Sequence, residues 1–121
     1  MRVGVDTFTL RDLKLDAFQQ LDLIKAWGLE GAQFGGLRGF SAALDPSRLK
    51  AVRSRADELG LYSHVSLSVT CNPYLTNLAP AEHTRMIADE VAAAAACGWH
   101  ELHGTLGGGD ERYVHPVPWP Q

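Results

Sequence analysis

The chain holds only two cysteines, Cys71 and Cys97, in 121 residues, too few for the disulfide framework that staples small secreted domains. It has no surplus of positive charge either: 11 Lys and Arg stand against 14 Asp and Glu, a net charge of −3. Nucleic-acid affinity rests on cationic side chains that displace counterions from phosphates, so this balance argues against a nucleic-acid partner. No apolar run approaches the roughly 20 residues of a membrane-crossing helix; the nearest, Val91 to Cys97, is mostly alanine. No basic segment followed by an apolar one opens the sequence. Together these absences predict a cytoplasmic, reducing setting with no membrane partner. The 45% of hydrophobic residues is enough to build a core, and one domain of this length typically buries roughly two-thirds of its unfolded surface.

What the sequence does hold is a phrase used three times: an amphipathic helix ends at glycine and a short apolar strand follows. The copies are Ala26 to Phe34, Glu58 to Val65 and Ala96 to His103, with Gly28, Gly60 and Gly98 at the helix ends. The glycines lie 32 and 38 residues apart, which suits one strand, one helix and two connections per unit. Each fits the left-handed position just past a helix.

The helix starts are legible too. Asp16 caps the first helix with Gln19 three residues on, a capping-box pair, and Phe18, Leu21 and Ile24 give its apolar stripe. Asp45 and Pro46 open the second, with Leu49, Val52, Ala56 and Leu59 at helical spacing. Pro80 opens the third, whose expected stripe is Ile87, Val91, Ala94 and Ala95. Strands are expected at Arg2–Asp6, Ala32–Phe34, Leu61 to about Val69, and Glu101–Leu106.

Strands alternating with single helices imply right-handed crossovers and a parallel sheet with its helices outside. The predicted fold class is α/β, a (βα)3β half of a TIM barrel: four parallel strands, three outer helices and a proline-rich C-terminal tail. Residues 1–106 form the half barrel and 107–121 a Gly/Pro-rich loop or tail. That last segment carries three prolines between His115 and Gln121 and reads as extended chain where a fourth helix would belong. This leads to the expectation that the sequence is a first half. In such architectures the loops after the strands hold the chemistry.

The order and spacing of several motifs resemble the xylose isomerase-like TIM-barrel family, which comprises sugar phosphate isomerases and epimerases and the endonuclease IV-like DNA-repair enzymes. The resemblance is carried by Val3-Gly4-Val5-Asp6-Thr7-Phe8-Thr9, by Ala26-Trp27-Gly28-Leu29-Glu30-Gly31, and above all by Asn72-Pro73-Tyr74-Leu75-Thr76-Asn77-Leu78-Ala79-Pro80. Arg85 on the next helix, Ala96-Cys97-Gly98 and a strand ending near His103-Gly104 complete it. A whole barrel runs to about 250 residues, so the resemblance covers about half of one. It implies a divalent metal (Mn, Mg, Co or Zn) in the complete barrel, held by acidic residues and a histidine on later strands. Catalysis by this half alone is therefore not expected.

Several residues stand out as site candidates. His103, at a strand end before a glycine, and Cys71, three residues before Tyr74, fall where the endonuclease-like branch has metal-binding histidines, and a thiolate can replace an imidazole on zinc. Alternation puts His64, Ser66 and Ser68 on one strand face, either a barrel interior or an outer face. Asp6 and Gln33 close the first two strands, and Phe8 and Trp119 are loop aromatics able to stack on a sugar. Substrate contacts are thus assigned to Phe8, Gln33, His64 and Trp119, and metal contacts to His103 and Cys71. Gly104-Thr105-Leu106-Gly107-Gly108-Gly109 lacks the lysine and the following helix of a phosphate loop, and Asp110-Glu111 opposes an anion.

Three functions are compatible with these readings. The first is the substrate-pocket half of a sugar (phosphate) isomerase or epimerase, with a small sugar-like substrate and a C-terminal half-barrel as partner. The second is a non-catalytic half-barrel that pairs with a second copy of itself. The third is part of an endonuclease IV-like enzyme, which the acidic balance disfavours.

Overall fold

The computed structural model describes residues 1–106; the expected tail at 107–121, with Trp119, lies outside the described residues. The elements run β1 (Gly4–Asp6), α1 (Ala17–Ala26), β2 (Gly31–Gly36), α2 (Pro46–Glu58), β3 (Tyr62–Ser66), α3 (Pro80–Ala96) and β4 (Leu102–His103), with 3-10 turns after each of the first three strands. All four strands are parallel and stand in the order β1-β2-β3-β4. The chain is thus an α/β unit in which each strand pairs with the next in sequence.

Local chemistry sets the boundaries. Asp16 accepts from the Gln19 amide at 2.9 Å while the Gln19 side chain accepts from the Asp16 amide at 3.0 Å, the reciprocal capping box. Asp45 caps α2 through the Ser47 and Arg48 amides, with Pro46 in the first turn. All three helices end alike. Gly28, Gly60 and Gly98 have φ of 73°, 68° and 93°, and the residue after each glycine donates back five residues: Leu29 to Ile24, Leu61 to Ala56 and Trp99 to Ala94. This doubly bonded left-handed ending satisfies the last carbonyls and aims the chain into the next strand.

Period-two alternation divides the strands between two faces. One face, with Ala32, Phe34 and Val65, packs into a single core with Leu21 and Ile24 of α1, Leu49, Val52 and Ala56 of α2, and Ala94 of α3. Trp99, 1% exposed, sits in this layer; its indole Nε1–H donates to Ser63 Oγ at 3.1 Å and its ring stacks on Phe40. Across the outside, Arg55 joins α2 to Asp22 of α1 at 2.7 Å. The Asp22 hydrogen bond, and then its charge, raise the Arg55 pKa, so that side chain stays cationic at every ordinary pH. Among the described residues no helix is long and apolar enough to cross a membrane.

The third helix departs from expectation. Its buried residues are His83, Glu90 and Ala94, while Val91 is 42% exposed and Ala95 is exposed. The packed face is therefore rotated from the Ile87-Val91-Ala94-Ala95 stripe, because two polar side chains occupy it and find partners there. The strands are shorter than expected as well. β1 begins at Gly4, β3 stops at Ser66 where Val69 was expected, and β4 is confined to Leu102–His103 within the expected Glu101–Leu106. Conversely, β2 reaches Gly36 and carries a bulge at Gly35, between Phe34 and Gly36.

The glycine endings can be tested one at a time. Nothing stands within 4 Å of where a Gly60 side chain would project, so Gly60→Ala costs only the left-handed backbone penalty, about 1–2 kcal/mol. Urea unfolding followed by circular dichroism should show that loss with an unchanged m-value.

Candidate functional site

The second sheet face carries a different set of side chains. Because Val65 and Leu102 pack toward the core, His64, Ser66 and His103 fall on the opposite side. The strand register then builds a row. Asp6 pairs with Gln33 and Gln33 with His64, and one residue before the Val65–Leu102 pair Glu101 stands level with His64. These four residues line a hollow of about 520 Å³ together with Arg2 and Tyr62, and among the described residues no helix residue lines it.

Close contacts join part of the row. His64 Nε2 lies 3.1 Å from Glu101 Oε2, an ion pair when the ring is protonated. The His64 ring lies 5.2 Å from that of Tyr62 and 5.5 Å from that of His103. An imidazole beside a carboxylate, among aromatic and amide groups, can exchange hydrogen bonds with a hydroxyl. Asp6 is engaged locally, its Oδ1 accepting from the Phe8 amide at 2.9 Å.

Tyr62 makes the floor. Its ring lies over Gly31 and its hydroxyl reaches Gly4, where any side chain would overlap it. Only glycines at both positions admit a phenol lying flat on the sheet.

The remaining expected site residues are dispersed. Gln33 and His64 share the hollow, but Phe8 does not line it; that ring is 69% exposed and lies under the Arg11 guanidinium at 4.4 Å. His103 is on the same face as His64, two residues further along and level with Ser66. Cys71 is half-buried against Gly104, its amide donating to the Thr105 carbonyl at 2.8 Å. Among the described residues no three His, Cys, Asp or Glu side chains converge to hold a metal ion, so His103 and Cys71 have no third ligand beside them. Ser68 leaves the face on which alternation placed it, because the strand ends at Ser66 and the chain turns toward α3.

That turn is fastened by Glu90, a fully buried carboxylate. It accepts from the Ser68 amide at 2.9 Å and from the Ser68 hydroxyl, and Ser68 Oγ in turn accepts from the Arg38 amide at 3.3 Å. His83 holds the same loop further on, its Nε2 meeting the Thr70 carbonyl at 2.7 Å. Tyr62 and Glu101 were the residues that sequence reading missed. The available signal was period two, since each stands two positions before a histidine already singled out.

No family model matches the chain, and no curated protein or solved structure matches it.

Glu90→Ala should destabilise the protein by about 2 kcal/mol, since it strips the acceptor from two Ser68 donors. Glu90→Gln, which keeps one carbonyl acceptor, should cost less. Urea midpoints of the two variants check the order; equal midpoints would show the hydrogen bonds to contribute nothing.

Proposed function

We propose that this chain is the substrate-pocket half of a (β/α)-barrel of the sugar (phosphate) isomerase or epimerase type, binding a small polyhydroxylated ligand. The observation that carries this reading is the level row of Asp6, Gln33, His64 and Glu101 on a sheet face that, among the described residues, no helix covers. Hydroxyl-rich ligands need alternating donors and acceptors above an aromatic surface, and this row over Tyr62 supplies them. The winding supports the reading. Strands in the order 1-2-3-4 with their core on one side are what a barrel wall requires, whereas a doubly wound sheet reverses its order at a switch point.

The role assigned to the chain is binding and orientation. The divalent metal implied by the resemblance needs more ligands than the described residues bring together, so no metal-assisted step is assigned to this chain. His64, oriented by Glu101, holds the ligand hydroxyl nearest the sheet, and Gln33 addresses the neighbouring one through its amide.

A second reading, that the sheet pairs with another copy, rests on a separate observation. β1 pairs only with β2 and β4 only with β3, which leaves two parallel edges open among the described residues. A two-fold axis along the strands would join the β4 edge of each copy to the β1 edge of the other, and open edges are rarely left uncovered.

Two measurements test these readings. Titration with D-fructose should move the His64 and His103 ring resonances in NMR with about millimolar affinity, roughly −4 kcal/mol. His64→Ala should abolish the effect; His103 shifts that persist in this variant would sink the assignment. Light scattering over a range of concentrations should give twice 13.2 kDa if the edges pair between copies. A concentration-independent 13.2 kDa particle would eliminate self-pairing.

A further inference from the structure

A second hollow, of about 430 Å³, lies beyond the ends of β1, β2 and β3, bounded by the loops that follow them and by the starts of α1 and α2. It shares no lining residue with the open-face hollow. Two arginines line it, Arg38 from the loop after β2 and Arg48 from the first turn of α2.

Neither arginine is paired with a carboxylate among the described residues, whereas Arg53 and Arg55 both are. Arg38 donates through its terminal nitrogen to the Ala42 carbonyl at 2.9 Å, which anchors the guanidinium. Its Nε–H is buried with no acceptor, the one buried side-chain polar atom among the described residues left in that state. A buried donor without a partner is a standing cost to the fold. Arg48 is presented differently, its guanidinium carbon 4.6 Å from the centre of the Phe18 ring, a contact that holds the charge without neutralising it. One carboxylate, Asp16, lines the same hollow, and its Oδ1 is occupied by the Gln19 amide. Two fixed cations therefore face one engaged anion.

We propose that this hollow is an oxyanion site for a phosphate group, free or carried on a small ligand, held between Arg38 and Arg48. A phosphate suits it better than a carboxylate. The two guanidiniums come from different elements, and a tetrahedral group offers three terminal oxygens and nearly two negative charges to share between them. A carboxylate has one charge and two oxygens in a single plane, which fits one arginine fork. The site stands independently of the sugar-binding reading.

Isothermal titration of the full chain with inorganic phosphate, at constant ionic strength, tests the site. Saturable binding is expected, weakened at least tenfold by Arg48→Ala and by Arg38→Met, and unchanged by Lys50→Ala on the exposed side of α2. Arg48 is exposed, so Arg48→Ala remains decisive even if Arg38→Met fails to fold. His64→Ala should leave phosphate binding intact, which separates this site from the open-face hollow. Glycerol 2-phosphate in place of phosphate distinguishes the source: tighter binding indicates a ligand-borne group, and equal binding indicates free phosphate. Acetate binding as tightly as phosphate, or affinity indifferent to both arginine substitutions, would overturn the proposal.

Discussion

Everything in this molecule hangs on one apolar layer, in which Phe34, Val65 and Trp99 pack with the buried stripes of α1 and α2 and with Ala94. A strand that gives every second residue to such a layer must give the others to the opposite face. The core therefore decides more than stability: by taking Ala32, Phe34, Ser63 and Val65 it commits Gln33, Tyr62 and His64 to the face without helices. The polar row is the complement of the hydrophobic pattern, and its level alignment across strands follows from the parallel register.

Sequence reading succeeded where the determinants are local. Asp16 with Gln19, Asp45 with Pro46, and the three left-handed glycines each act within five residues, and all behave as their chemistry dictates. It failed on α3 because Glu90 and His83 look like solvent-facing residues until the loop donors and acceptors that meet them are placed. For His64, alternation linked it to Ser66 but left two faces open; only the burial of Val65 decides between them. Ser68 could not be assigned from periodicity, since a strand's last residue depends on where its neighbours stop pairing.

The loops after the strands are also less independent than their separation in sequence suggests. Glu90 on α3 holds Ser68 after β3, and Ser68 receives the backbone of Arg38 after β2. A carboxylate near the centre of one helix thus helps place an arginine one βα unit back in the chain. The loops are tied to one another through polar contacts anchored on the buried Glu90 carboxylate, so a change to the α3 face reaches the wall of the arginine-lined hollow without touching it.

Tyr62 lying flat across Gly31 and Gly4 has an implication of its own. The bottom of the open-face hollow is a single side chain resting on bare backbone, while the β-ladder beneath it uses only main-chain groups. Depth and scaffold are in this way uncoupled. A smaller residue at position 62 would deepen the hollow and a bulkier one would raise its floor, with every inter-strand hydrogen bond still in place. Substitution at that one position can change the depth of the hollow without rebuilding the wall.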